Sequence, residues 1–126
     1  MRFACLTLVA VASVICLIGC DKDSVAQDAN ALTGGDWKKG ALAIRDAGCA
    51  SCHTIPGIHG ADSHVGPPLT GISQRTYLAG IIANTPENLV KWIQNPPGVD
   101  DKTAMPNMHL SESDARNIAS YLYTLR

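Results

Sequence analysis

The stretch GCASCHTIPG, Gly48 to Gly57, places Cys49 and Cys52 three positions apart and sets His53 directly after the second thiol. Whatever these donors hold must be enclosed by the rest of the chain, so their occupant constrains the fold. A thioredoxin-like redox pair requires a strand before the motif within a βαβ unit, whereas the residues before Cys49 have helical spacing. A zinc site requires a fourth ligand and commonly a second paired element; His59, His64 and His109 are present, but none stands in such a pair. A disulfide between positions i and i+3 is small and strained, and it leaves His53 without a role. The remaining reading uses all three side chains. C-x-x-C-H is the attachment signature of c-type haem, in which each thiol adds to one vinyl group of the porphyrin and the next imidazole becomes the proximal iron ligand.

One coordination position then remains. Met105, in the polar stretch TAMPNM, is followed at once by Pro106. A thioether opposite histidine raises the reduction potential, and the proline stiffens the loop that would present this weak ligand. Met108 is the rival, and core filling is the ordinary use of a methionine. In HVGPPLTG, the carbonyl of Pro67 is a candidate acceptor for the free N–H of His53, since metal-bound histidines are oriented by such partners.

The spacing around the motif is helical. Trp37, Ala41, Ile44 and Ala47 recur at three- and four-residue intervals, with Asp36 placed to cap the first turn. Thr85 and Pro86 open a second helix with Leu89, Trp92 and Ile93 on one face, and Asn95-Pro96-Pro97 stops it. Ser111 and Asp114 form a capping-box pattern, with Leu110 as staple, before the stripe Ile118, Tyr121, Leu122 and Leu125. The loops between are rich in Gly and Pro, and no alternating strand stands out. The expected fold class is all-α, about three main helices plus long loops wrapped around one covalently attached haem.

The first residues read differently. MRFACLTLVAVASVICLIGC carries one cation, Arg2, and then an uncharged, mostly apolar run from Phe3 to Ile18, the layout of an export signal. LIGC, Leu17 to Cys20, resembles the lipobox of bacterial lipoproteins, which implies acylation of Cys20 and loss of residues 1–19; a short membrane anchor that stays attached is the competing reading. The chain's five cysteines are thereby divided: Cys5 and Cys16 leave with the signal, Cys20 takes lipid, and Cys49 and Cys52 take haem. Residues 20–35 are polar and end in Gly34-Gly35, and the expectation is a flexible tether of at most about 50–60 Å when extended. Residues 36–126 form the domain. Asp21, next to the acylated cysteine, resembles the signal that retains lipoproteins in the inner membrane of enteric bacteria. With a formal net charge of −1 and no basic stripe, nucleic acid is not an expected partner.

From Asp36 to Arg126 the sequence resembles the class I cytochrome c family, through GALAIRDAGCASCH, GPPL, TAMP and IASYLYTL. The resemblance implies the cytochrome c fold, His53 and Met105 as axial ligands of one haem c, Pro67 as acceptor for His53, and packing of Gly40 and Ile44 against Tyr121 and Leu122. The segment RTYLAGIIANTPENLVKWIQNP is similar to cytochrome c domains fused to subunit II of some bacterial haem-copper oxidases. That likeness implies Arg75, Trp92 and Tyr77 as residues near the haem propionates, where a carboxylate needs a charge or a donor. The expectation is a free-standing, lipid-tethered version without the copper-binding domain and paired membrane helices of that subunit. The resulting expectation is a non-enzymatic, monomeric single-electron carrier. It would be lipid-anchored at the periplasmic face of a bacterial membrane, with the inner membrane favoured. Its partners would be redox proteins such as a membrane oxidase or dehydrogenase complex. The alternatives are a peroxide- or gas-reactive haem protein with a labile sixth ligand, or a fixed subunit of such a complex.

Overall fold

The computed structural model describes residues 22–126, so the segment expected to be a signal peptide and Cys20 lie outside the described residues. Five helices follow in order: α1 (Lys22–Thr33), α2 (Trp37–Asp46), α3 (Pro86–Gln94), α4 (Pro96–Val99) and α5 (Glu112–Tyr123). A two-stranded antiparallel hairpin, β1 (Tyr77–Leu78) with β2 (Ile82–Ala83), precedes α3. The all-α expectation holds, with this hairpin as a small addition.

Each main helix begins where a side chain can satisfy free backbone N–H groups. Asp36 Oδ1 accepts from Lys38 N at 2.8 Å and Lys39 N at 3.3 Å, and Thr85 Oγ1 accepts from Asn88 N at 3.2 Å. Ser111 Oγ accepts from Asp114 N at 3.0 Å, but the box is not reciprocal: the Asp114 carboxylate takes the Ser111 hydroxyl proton at 2.7 Å instead of a backbone N–H. The aspartate side chain is one methylene shorter than the glutamate of the usual box. Asn95 ends α3 as expected, yet Pro96 and Pro97 then start α4, because proline suits the first helical positions.

The core sits where α2 and α5 cross, with α3 packed on α5. Ile44, Leu89, Ile118, Ala119 and Leu122 are its buried side chains. Gly40 and Tyr121 meet at the crossing, as the sequence resemblance implies.

The tether expectation is corrected over residues 22–33. These form α1, which buries Ala26, Ala29 and Thr33 and packs on α5. Its docking is polar as well as apolar. Asn30 Oδ1 accepts from Trp37 N at 2.9 Å and from the buried Ser120 hydroxyl at 2.5 Å, and Arg116 Nη1 donates to Thr33 O at 2.9 Å. Replacing Asn30 with alanine orphans both donors, one of them in the core. A loss of about 1–3 kcal/mol is expected, read as a lower denaturant midpoint. Unchanged stability would mean that α1 is not docked in solution.

Candidate cofactor-attachment site

The chain turns sharply at the end of α2. Gly48 adopts a left-handed conformation at φ 71°, and a 3₁₀ turn over Cys49–Ser51 follows. Cys52 N and His53 N both donate to Cys49 O, at 3.2 and 3.0 Å. This single turn gathers two thiols and one imidazole at the corner between α2 and the following loop. Cys49 and Cys52 are both free rather than bridged. Burial pushes the Cys49 thiol above its ordinary value, and the neighbouring Cys52 adds to the rise against a backbone hydrogen bond that lowers it.

The imidazole is held from the other side by the segment Gly66–Leu69. Gly66 N donates to Cys52 O at 2.6 Å and Leu69 N to Thr54 O at 2.9 Å, so the two stretches run alongside each other. His53 Nδ1 lies 2.7 Å from Pro67 O. A carbonyl oxygen can only accept, so Nδ1 carries the proton and Nε2 presents its lone pair. Gly66 allows this approach: a Cβ there would lie 2.6 Å from His53 Cε1 and 2.8 Å from Nδ1.

Arg75, expected near a propionate, donates through Nη2 to Pro68 O and to Thr70 O. It thereby braces the loop that carries Pro67, and only its other N–H groups remain for a carboxylate. Asn84 ties down the same region, donating to Ile72 O at 2.8 Å and Arg75 O at 2.9 Å. Sequence reading missed both braces; a side chain that bonds distant carbonyls leaves no spacing signal. Trp92 is half-buried on α3, while Tyr77 is largely exposed at the hairpin.

Met105 is half-buried in the loop before α5. Its backbone N donates to Thr103 Oγ1 at 3.1 Å. Asn107 fixes the loop at two points, donating to Asn95 Oδ1 at 3.2 Å and accepting from His109 N at 2.8 Å. Met108 lines a groove with Leu42 and Ala43 of α2 and with Ala47 just after it. His59, His64 and His109 are exposed, and no group of three potential metal-ligating His, Cys, Asp or Glu residues occurs among the described residues.

The donor set fits a haem c: two unpaired thiols at the right interval, an imidazole whose Nε2 is left free by Pro67, and a thioether on a braced loop. The comparisons agree with that fit. Over 89 residues the chain is 30% identical to cytochrome c oxidase subunit 2 of Alkalihalophilus pseudofirmus, a match covering 70% of this chain and 25% of the relative. The same-named proteins of Bacillus sp. strain PS3 and Bacillus subtilis are 31% and 27% identical over 88 residues, covering 67% and 68% of this chain. The chain thus spans about a quarter of the length of these relatives. The family model described as cytochrome c matches residues 37–126, from the first residue of α2 to the end of the sequence, and the chain belongs to the cytochrome c family, whose domain implies haem-based electron transfer.

Proposed function

We propose that the protein is a single-electron carrier holding one haem c through thioethers to Cys49 and Cys52, with His53 Nε2 and Met105 Sδ as axial ligands. The observation that carries this reading is the 2.7 Å contact between His53 Nδ1 and Pro67 O, which fixes the tautomer that a ligating imidazole needs. Bound haem supplies a one-electron iron couple. The chain's own residues orient and insulate it. Pro67 and Gly66 set the ring plane of His53, the braces at Asn95 and Thr103 hold the Met105 loop, and the buried faces of α2, α3 and α5 exclude water. His59, His64 and His109 are exposed, and membership of the cytochrome c family supports the carrier reading.

Acylation at Cys20 would hold this carrier at the periplasmic face of a membrane. No helix among the described residues is long and apolar enough to cross a bilayer; the anchor in this reading is Cys20, at the end of the lipobox-like LIGC. The relatives are named as oxidase subunits, which supports a membrane oxidase as the redox partner.

The sixth ligand is tested by the optical spectrum of the oxidised protein, in which iron–thioether ligation gives a weak red band. The band should vanish in Met105→Ala and persist in Met108→Ala, because Met108 lines a separate groove with Leu42 and Ala43. A band lost only in Met108→Ala, or absent from the parent protein, sinks the His/Met assignment.

A further inference from the structure

One residue, Asp21, stands between Cys20 and the start of α1. What α1 does therefore decides how the domain sits relative to any anchor at Cys20. α1 lies antiparallel on α5. Near the start of α5, Arg116 Nη1 donates to Thr33 O at 2.9 Å and Asn117 Oδ1 accepts from Asp36 N at 2.9 Å. One turn farther along, Ser120 Oγ donates to Asn30 Oδ1 at 2.5 Å. Going back along α1 toward Lys22 thus leads toward the C-terminal end of α5, with Ala29 and Ala26 buried on the way.

The hairpin is attached at that same end. Tyr123 in the last turn of α5 donates its hydroxyl to Asn84 Oδ1 at 3.0 Å, directly after β2. Ser73, just before the hairpin, donates to Leu125 O through its backbone N at 3.3 Å and its hydroxyl at 2.6 Å. The hairpin exposes Ile81 in its turn, 50%, and Tyr77 at the start of β1, 58%.

We propose that α1 is a rigid mount that holds the domain against a lipid surface, with the Tyr77–Ala83 hairpin turned toward the bilayer. The proposal rests on the reading of Cys20 as a lipid anchor. A docked helix of 12 residues, about 18 Å long at 1.5 Å per residue, replaces a tether that would let the domain tumble. With a single residue left between anchor and helix, the end of the molecule where Lys22 lies is the end that meets the membrane. The occupant of that face is lipid because the acylated Cys20 of this reading lies two positions before Lys22, the first residue of α1. An exposed isoleucine and an exposed amphipathic tyrosine on one hairpin suit the boundary between headgroups and acyl chains.

The test compares alkylation, by a bulky, membrane-impermeant maleimide, of two variants of the acylated holoprotein that each add one free thiol to a chain whose Cys20, Cys49 and Cys52 are already bonded. Ile81→Cys reports on the hairpin. Leu42→Cys lies on α2 in the groove shared with Met108 and Asp114, near the opposite end of α5. In vesicles of phosphatidylethanolamine and phosphatidylglycerol, the rate at position 81 should fall several-fold relative to the same variant made soluble by Cys20→Ala, and the rate at position 42 should not change. A flexible Gly-Ser insertion between Asp21 and Lys22 should restore the rate at position 81 while the protein stays on the vesicles. Vesicle-bound protein with equal rates at both positions overturns the mount alone. Acyl-competent protein that fails to bind vesicles overturns the anchor reading and the mount with it.

Discussion

Replacing His53 with alanine will leave the protein without a stable haem centre. The yield of chain carrying a low-spin haem, measured as haem per polypeptide, is expected to fall more than about tenfold. Losing a group that merely orients a metal ligand already costs 10–100-fold, and here the ligand itself is removed. Cys49 and Cys52 would still be present, since the turn that gathers them depends on Gly48 and the Cys49 carbonyl rather than on the imidazole. Any haem that did attach would lack its proximal nitrogen and would show a high-spin spectrum. The Pro67 carbonyl, 2.7 Å from Nδ1 in the parent protein, would lose its donor, and the wall formed by Gly66 would face a void. Normal haem content with an unchanged spectrum in His53→Ala would sink the assignment of the site.

What could be read from the sequence follows the range of the interactions involved. Asp36, Thr85 and Ser111 mark their helices because a cap acts on N–H groups two or three residues away, within reach of spacing rules. The cysteine pair and His53 are contiguous, so their attachment chemistry is a local pattern. α1 was read as a tether because its docking face is Ala26, Ala29 and Thr33. Small residues of that kind do not stand out as an apolar stripe, and the partners that make the face bury, Ser120 and Arg116, lie more than eighty residues away. The hairpin escaped notice because strands of two residues are too short to alternate visibly. Arg75 shows a further limit. Its residue type suggests a partner for a carboxylate, but the partners that the fold supplies are carbonyls of Pro68 and Thr70, and a loop's path cannot be derived from spacing. The Asn95–Asn107 contact beside Met105 is hidden for the same reason.

Replacing Gly40 with alanine will destabilise the fold even though helix propensity alone predicts the reverse. In an ordinary helix interior the change would gain about 1 kcal/mol. At this position α2 touches α5 backbone to backbone: an added Cβ would lie 2.0 Å from Asn117 O, 2.7 Å from Asn117 C and 3.0 Å from Tyr121 Cβ. The first two are main-chain atoms and cannot rotate away, so the helices must separate. Separation loosens Ile44 against Ile118 and Leu122, and it disturbs Asn117, whose side chain accepts from Asp36 N. Overpacking of this kind costs about 3 kcal/mol, which leaves a net loss of about 2 kcal/mol. For a domain of this size that corresponds to a drop in Tm of about 10 °C. Lys39→Ala, one residue away on the exposed side of the same helix, should leave Tm nearly unchanged. Because an added Cβ at Gly40 meets Asn117 and Tyr121 of α5 and not the Cys49 turn, Gly40→Ala protein that does fold should keep its low-spin spectrum, which separates a packing defect from a ligand defect. A Tm at or above the parent value would show that propensity, not the close approach of α2 and α5, governs this position, and the crossing that supports the attachment site would have to be redrawn.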